Sequence, residues 1–312
     1  MNISIVLCTY NRCESLRNAL DSVAQSTLPE AVHWEVLVVD NNSNDRTKAV
    51  VQEFGQKYPG RFRYLFEPTP GKSHALNSGI RESDADVLAF MDDDVVVERT
   101  WLQNLTSALD DPSLAGAGGR ILPRWTSSPP QWLPKKERYG LAPLAMFDLG
   151  VEPGPLDEAP FGTNMAFQRQ VFEKYAGFRT DLGPQPGSEI RNEDTEFGQR
   201  LLQAGERLRY EPSAVVYHSV SENRLTKAYF LRWWFDKARA DVREFGIPQD
   251  ARLIAGVPII LFRRLAVWTL RWTIAIRPSQ RFGAKLKVWG RLGEIKECYR
   301  IAHASKPQSS KP

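Results

Sequence analysis

The chain opens with two short runs in which almost every residue is apolar or β-branched, residues 3–7 and 34–39, and each run breaks off into polar residues. A helix-like stretch at 14–25 lies between them, so the order is strand, helix, strand, a βαβ unit. Residues 61–66 make a third strand candidate, 73–81 a helix opened by Gly71, and 87–91 a fourth strand that stops at three aspartates. Such alternation predicts an α/β fold around a mostly parallel central sheet. From 123 to 160 the chain is rich in Pro, Gly and aromatic residues with weak periodicity, which reads as a long functional loop region. Order returns with residues 161–167, a helix at 169–175, a helix at 194–204 closed by Gly205, and a strand at 214–218.

Beyond Asn223 two amphipathic helices are expected, at 225–245 and 257–276. The second approaches the length of a membrane span, but Arg263 and Arg264 fall at its middle and Arg271 returns about two turns later, where charge is costly in hydrocarbon. An in-plane helix with Trp268 and Trp272 at headgroup depth fits better. The other reading is that both helices simply pack on the body of the protein.

Composition, 42% hydrophobic and 25% charged, is ordinary for a globular protein and excludes disordered, collagen-like and disulfide-scaffold classes. The net charge of +4 hides an asymmetry. Residues 1–223 hold 22 Lys+Arg against 31 Asp+Glu, whereas residues 224–312 hold 19 against 6, a surplus of 13. A basic segment on an acidic body points to an anionic partner, a lipid surface or a nucleic acid. Three cysteines, Cys8, Cys13 and Cys298, form no even framework, so a reduced, cytoplasmic setting is expected. The N-terminus runs directly into a strand pattern without the features of a signal peptide.

In α/β sheets ligands collect beyond the carboxyl ends of the strands, where loops and helix N-termini converge. Thr9, Tyr10, Asn11 and Arg12 follow the first strand. Asp40, Asn42 and Asp45 follow the second, and Asp92, Asp93 and Asp94 the fourth. Alternate carboxylates at a strand end suit Mg2+ or Mn2+ and, through it, a diphosphate; the other reading is a solvated acidic turn. The Asp40 segment could meet a base or ribose, or serve as an Asx-turn and helix cap. Lys72, after Gly71 at a helix start, suits a phosphate without matching P-loop spacing. Asp194 opens a helix beside Glu193 and could be only a cap. His218 ends a strand run and could be only packed.

Taken together, these clusters resemble glycosyltransferase family 2, whose members adopt the GT-A fold. The resemblance covers about residues 2–220. It implies a Rossmann-like nucleotide-binding half (1–122) and an acceptor half (123–223) with helices flanking the sheet, then a basic amphipathic region (224–300) associating with membrane and a disordered tail (301–312). Residues 7–12 look like the family's opening nucleotide-site motif, and Asp40 with Asn42 and Asp45 like its base- and ribose-binding segment. Lys72, Asp92 and Asp93 would complete the donor site. Asp92 and Asp94 match its DxD, so that Asp94 holds the metal, with Asp92 and His218 as further ligands. Asp194 falls where inverting members keep the catalytic base, and Gly162, Asn164, Glu193 and Trp125 fall on the acceptor side. Asn41 departs from the family, which often has a second Asp there.

The implied reaction is an in-line displacement at the anomeric carbon of a nucleotide sugar, with Asp194 deprotonating a hydroxyl of a glycan or polyprenyl-linked acceptor. The expected setting is polysaccharide synthesis at the cytoplasmic face of the cell membrane, with no nucleic-acid partner. Two other classes remain open. A nucleotidyltransferase making nucleotide sugars shares the fold and acidic site but starts from a Gly-rich basic loop, which residues 9–12 do not supply. A nucleic-acid-binding module would use the basic tail but leaves the acidic cleft unexplained.

Overall fold

The computed structural model describes residues 1–133 and 139–304. They form two compact units, an N-terminal one of residues 1–128, 139–186 and 193–221, and a C-terminal one of residues 129–133, 187–192 and 222–304. Residues 129–133 and 187–192 thus group with the C-terminal unit, although the sequence placed them in the catalytic region.

The N-terminal unit runs β1 (Asn2–Thr9), α1 (Cys13–Ala24), β2 (His33–Asp40), α2 (Thr47–Lys57), β3 (Phe62–Phe66), α3 (Lys72–Glu82), β4 (Val87–Asp92), β5 (Val95–Val97), α4 (Trp101–Ser107), β6 (Gly116–Trp125), β7 (Gly154–Pro155), β8 (Met165–Gln168), α5 (Arg169–Tyr175), α6 (Glu193–Gln203) and β9 (Leu208–Val220). These strands build one sheet in the order β3-β2-β1-β4-β8-β6-β9-β5, with β7 added against β9. The first four positions are parallel to one another, β8 enters antiparallel between β4 and β6, and β6 and β9 are again parallel. The mixed α/β fold with a large central sheet flanked by helices is the one the alternation predicts.

β1 reads as an apolar run broken only by Ser4 because it lies inside the parallel half with both faces covered; Ile3, Ile5, Val6 and Leu7 are all buried. Under α5 and α6 an aromatic cluster closes the far side, with Phe172 and Phe197 stacked at 5.0 Å between centroids and Phe167 and Phe178 edge-on or tilted against Phe197.

Several boundaries differ from the sequence reading. The strand expected at 214–218 extends from 208 to 220, because outside its apolar stretch it alternates buried Leu208 and Tyr210 with half-exposed Arg209 and Glu211. Part of the expected loop region at 123–160 is ordered: β6 runs to Trp125, residues 139–144 form a 3-10 turn, and Phe147 bridges to Ile121. Residues 134–138 of that region lie outside the described residues.

The C-terminal unit contains α7 (Lys227–Phe245), the short hairpin β10 (Leu253–Ile254) and β11 (Val257–Pro258), α8 (Ile259–Ile274) and α9 (Pro278–Ala304). Two helices were expected, and the described residues form three α-helices. α9, of 27 residues, packs against both α7 and α8, so no single apolar stripe marks it. Its buried positions include Gly290 and Gly293, and a Cβ at Gly293 would stand 2.2 Å from the Phe235 carbonyl oxygen of α7. Close backbone approach, rather than large apolar side chains, forms that contact. The disordered tail expected from residue 301 is corrected for 301–304, which continue α9; residues 305–312 lie outside the described residues. Glu297 on α9 is fully buried and receives Arg239 at 3.0 Å and Arg243 at 2.7 Å from α7.

Candidate active site

Strand register assembles the site. Thr9 pairs with Asp40 and Cys8 with Asp92, so the polar residues after β1, β2 and β4 start at one edge of the sheet. Asp93 and Asp94 then form the turn into β5, whose first residue, Val95, pairs with His218 of β9. The three carboxylates therefore leave the strand through a turn instead of alternating along it, and each takes different partners.

Asp93 is buried and accepts from the Thr9 hydroxyl at 2.7 Å and from Arg12 Nη1 at 3.0 Å; the same Nη1 reaches Asp94 Oδ2 at 3.2 Å. Burial pushes the Asp93 carboxyl up to about 6, Arg12 opposing and Asp94 adding to the rise. Arg12 is in turn held above its ordinary value, chiefly by Asp93. Asp94 Oδ1 faces His218 Nε2 at 3.5 Å, and the Asp94 carbonyl accepts from the Ser219 N–H.

The second cluster behaves as turns and caps. Asp40 is buried, accepting from the Ser43 N–H and the Tyr64 hydroxyl, each at 2.8 Å. Asp45 accepts the Cys13 N–H at the start of α1 and the N–H and hydroxyl of Thr47 at the start of α2. Although burial opposes it, these hydrogen bonds bring its pKa down to about 2. Asn11, with φ 52, accepts from the Asn44 N–H, and Tyr10 is exposed. Asn42, with φ 69, donates to the Glu67 and Pro68 carbonyls.

Asn41, the departure from the family pattern, proves to be a stitch. Its buried amide donates to the Glu67 and Thr69 carbonyls and accepts the Gly71 N–H, fixing the turn into α3. Gly71 has φ +132, a conformation a side chain would strain. The turn delivers Lys72, whose Nζ donates to Asp92 Oδ1 at 2.7 Å and lies 3.3 Å from Glu193 Oε1 at the start of α6. Burial alone would lower the Lys72 ammonium, but Asp92 and Glu193 outweigh it and hold it well above its ordinary value. Burial would likewise raise Asp92, and Lys72 brings it below the usual carboxylate range. Glu193, at the longer distance, is raised: burial wins over Lys72, and Asp194 adds to it.

Asp194, next along, is only half-buried. Its Oδ2 accepts the Gly162 N–H at 2.6 Å and its Oδ1 the Thr195 N–H at 2.7 Å. Two backbone donors thus hold a carboxylate that still reaches solvent, beside a half-buried lysine-carboxylate bridge. That arrangement can accept a proton.

One assignment needs correction. Asn164 cannot line an acceptor site: it is fully buried, its Oδ1 accepts from the Trp101 indole, and its Nδ2 donates to the Arg120 and Ala214 carbonyls, so it ties β6 and β9 to α4. Its neighbour Thr163 does reach the site, donating to Asp92 Oδ2 at 2.7 Å; spacing alone could not tell which loop residue turns inward. The two Asp92 oxygens accept from Lys72 and Thr163, whereas Asp94 faces His218. Among the described residues no set of three or more His, Cys, Asp or Glu is arranged to hold a metal. Asp94 and His218 nevertheless offer oxygen and nitrogen donors facing each other, and a divalent ion that keeps waters and substrate phosphates needs only one or two protein ligands. Trp125, at the half-exposed end of β6, pairs with Val220, two residues beyond Pro123, which pairs with His218.

Known proteins share this fold. The solved mannosyltransferase PcManGT from Pyrobaculum calidifontis, in complex with GDP-Man and Mn2+, superposes with a TM-score of 0.64 at 19% identity over 95% of this chain and 86% of that one, which establishes a GT-A fold. In sequence, the glucosyl-dolichyl phosphate glucuronosyltransferase of Haloferax volcanii is 28% identical over 229 residues, 72% of this chain and 71% of that protein. The succinoglycan biosynthesis protein ExoM of Rhizobium meliloti is 27% identical over 234 residues, 74% and 71% respectively. The profile of glycosyl transferase family 2 matches residues 4–176, from the first strand through the aspartate turn to α5. A match over more than half of the sequence, on a fold that gathers its polar residues at one sheet edge, means that the chain belongs to glycosyl transferase family 2 and is a glycosyltransferase.

Proposed function

We propose that the chain transfers a sugar, with inversion, from a nucleoside-diphosphate sugar to a hydroxyl of a glycan or polyprenyl-linked acceptor in cell-surface polysaccharide synthesis. The observation that carries this reading is the Lys72 bridge, which ties Asp92 at the end of β4 to Glu193 at the start of α6, beside Asp194. Asp194 is the base: it is the half-exposed member of the pair, and the Gly162 and Thr195 N–H groups fix its orientation while leaving lone pairs for the acceptor proton. Glu193, buried against Lys72, is a positioning residue.

Asp94 and His218 would hold Mg2+ or Mn2+, which when bound neutralises charge developing on the leaving diphosphate. Lys72 is placed to add to that neutralisation at the donor phosphates, and Arg12 fixes Asp93 and Asp94. Thr9, Tyr10, Asn11, Asp40, Asn42 and Asp45 shape the nucleoside end, mainly through the turns that they close. No protein nucleophile is required. The names of relatives, one in succinoglycan synthesis and one acting on a dolichyl phosphate-linked sugar, support the acceptor class.

The test is a panel of nucleotide sugars with Mn2+ or Mg2+, followed by product separation. Release of a free nucleoside diphosphate, and a product with the anomeric configuration opposite to the donor's, are expected. Pyrophosphate release, or a product of retained configuration, overturns the reading.

A further inference from the structure

We infer that the exposed side of α8 is a docking surface for an anionic lipid bilayer, on which the helix lies in the plane of the membrane. Within the C-terminal unit α8 packs against α9 through one side, with Leu261 buried. On the other side stand Ile260, Val267, Leu270 and Ile274, exposed by 47%, 50%, 60% and 65%. Their spacings of seven, three and four residues put them in one row along the helix. Four large aliphatic side chains in one solvent-facing row are an apolar surface without a cover, beyond what scattered exposed hydrophobics account for.

Charge decides what covers it. Residues 251–293 contain nine Lys and Arg and no Asp or Glu. Arg263 interrupts the row, and the exposed Arg264 and Arg271, seven apart, run along its edge. A second copy of the same surface would oppose this cationic set to itself, and nucleic-acid phosphates would gain nothing from the aliphatic row. Anionic headgroups above an apolar layer satisfy both features. Arginines extend to the headgroups while the aliphatic side chains enter the acyl boundary. Trp268 and Trp272 lie at the border between the exposed and packed sides, Trp268 with Arg271 4.8 Å above its ring and Trp272 with Lys285 at 5.3 Å, as amphipathic rings at an interface do. Insertion across the bilayer is a separate matter: no described helix is long and apolar enough to cross a membrane.

The experiment uses the full chain with vesicles of phosphatidylcholine alone and of phosphatidylcholine with phosphatidylglycerol, read by co-sedimentation. Binding to the mixed vesicles and weak binding to pure phosphatidylcholine are expected. Arg264→Gln with Arg271→Gln should weaken binding roughly 30-fold, and Val267→Ser with Leu270→Ser and Ile274→Ser by roughly tenfold or more. All five substitutions are at exposed positions, so circular dichroism should be unchanged. Donor hydrolysis by both variants should match the wild type, so that loss of docking is distinguished from failure of the proposed reaction. Wild-type binding by the triple serine variant would mean adsorption through charge alone and overturns the docking row. Absence of wild-type binding, or a dimer that the serine substitutions dissolve, overturns it as well.

Discussion

Lys72 Nζ stands 2.7 Å from Asp92 Oδ1, a contact that joins the start of α3 to the end of β4 and, through Glu193, to the start of α6. The lysine therefore shares its one positive charge between two carboxylates that fold into one small space. Lys72→Ala leaves both without a counter-charge, a loss on the order of 3 kcal/mol for largely buried groups. Thermal unfolding should show a drop of several degrees together with loss of activity. An unchanged melting temperature would mean that the bridge has no structural role.

That contact also marks what the sequence could reveal. The strand ends at Thr9, Asp40 and Asp92 were legible because apolar runs stop there and parallel register does the rest. Partners across the site were not: Lys72 and Glu193 are 121 positions apart, and nothing local fixes their meeting. Asn164 and Thr163 show the same limit at shorter range, since a turn decides which neighbour faces inward. α9 escaped notice for a different reason, because it is covered on two sides and closes its contact with α7 through Gly293. Asp40 and Asp45 accept turn hydrogen bonds, a use that spacing offered alongside a base or ribose contact.

The base can be separated from its support. Asp194→Asn keeps shape and both backbone hydrogen-bond acceptors in part, so donor binding should survive while kcat falls by about 10²–10⁴-fold. In Gly162→Ala the new methyl would lie 3.1 Å from Asp194 Oδ2 and 3.2 Å from its Cβ. This displaces the carboxylate and should lower kcat by up to about a hundredfold with little change in donor KM. Wild-type turnover by Asp194→Asn would assign the proton transfer elsewhere.

Asp94 and His218 make a separate forecast, on binding. Asp94→Ala and His218→Ala should each weaken the metal-dependent part of donor affinity by at least the roughly 10–100-fold that outer-shell losses cost. Calorimetry of donor binding with and without Mn2+ measures that part directly. Asp92→Asn should behave differently, loosening Lys72 and Thr163 while metal dependence persists. Equal loss of metal dependence in all three variants would make Asp92 a ligand alongside Asp94 and His218.

Glu294 on α9 gives a pH signature that is independent of the active site. Burial pushes its carboxyl up to about 7, with Asp241 adding to the rise while Arg291, paired with it at 2.7 Å, and Arg264 pull the other way. Between the ordinary value of 4.5 and about 7 the folded chain keeps a proton that the unfolded chain has released. Stability therefore falls as pH rises through that window and levels off above it. Glu294→Gln imitates the protonated form at every pH. Near the lower end of the window variant and wild type should unfold together, and at pH values of about 8 the variant should be more stable by on the order of 1–3 kcal/mol. Urea unfolding of both chains across this range checks it. A difference between them that does not change with pH would show that Glu294 is ionised in the folded protein throughout, with Arg291 outweighing burial.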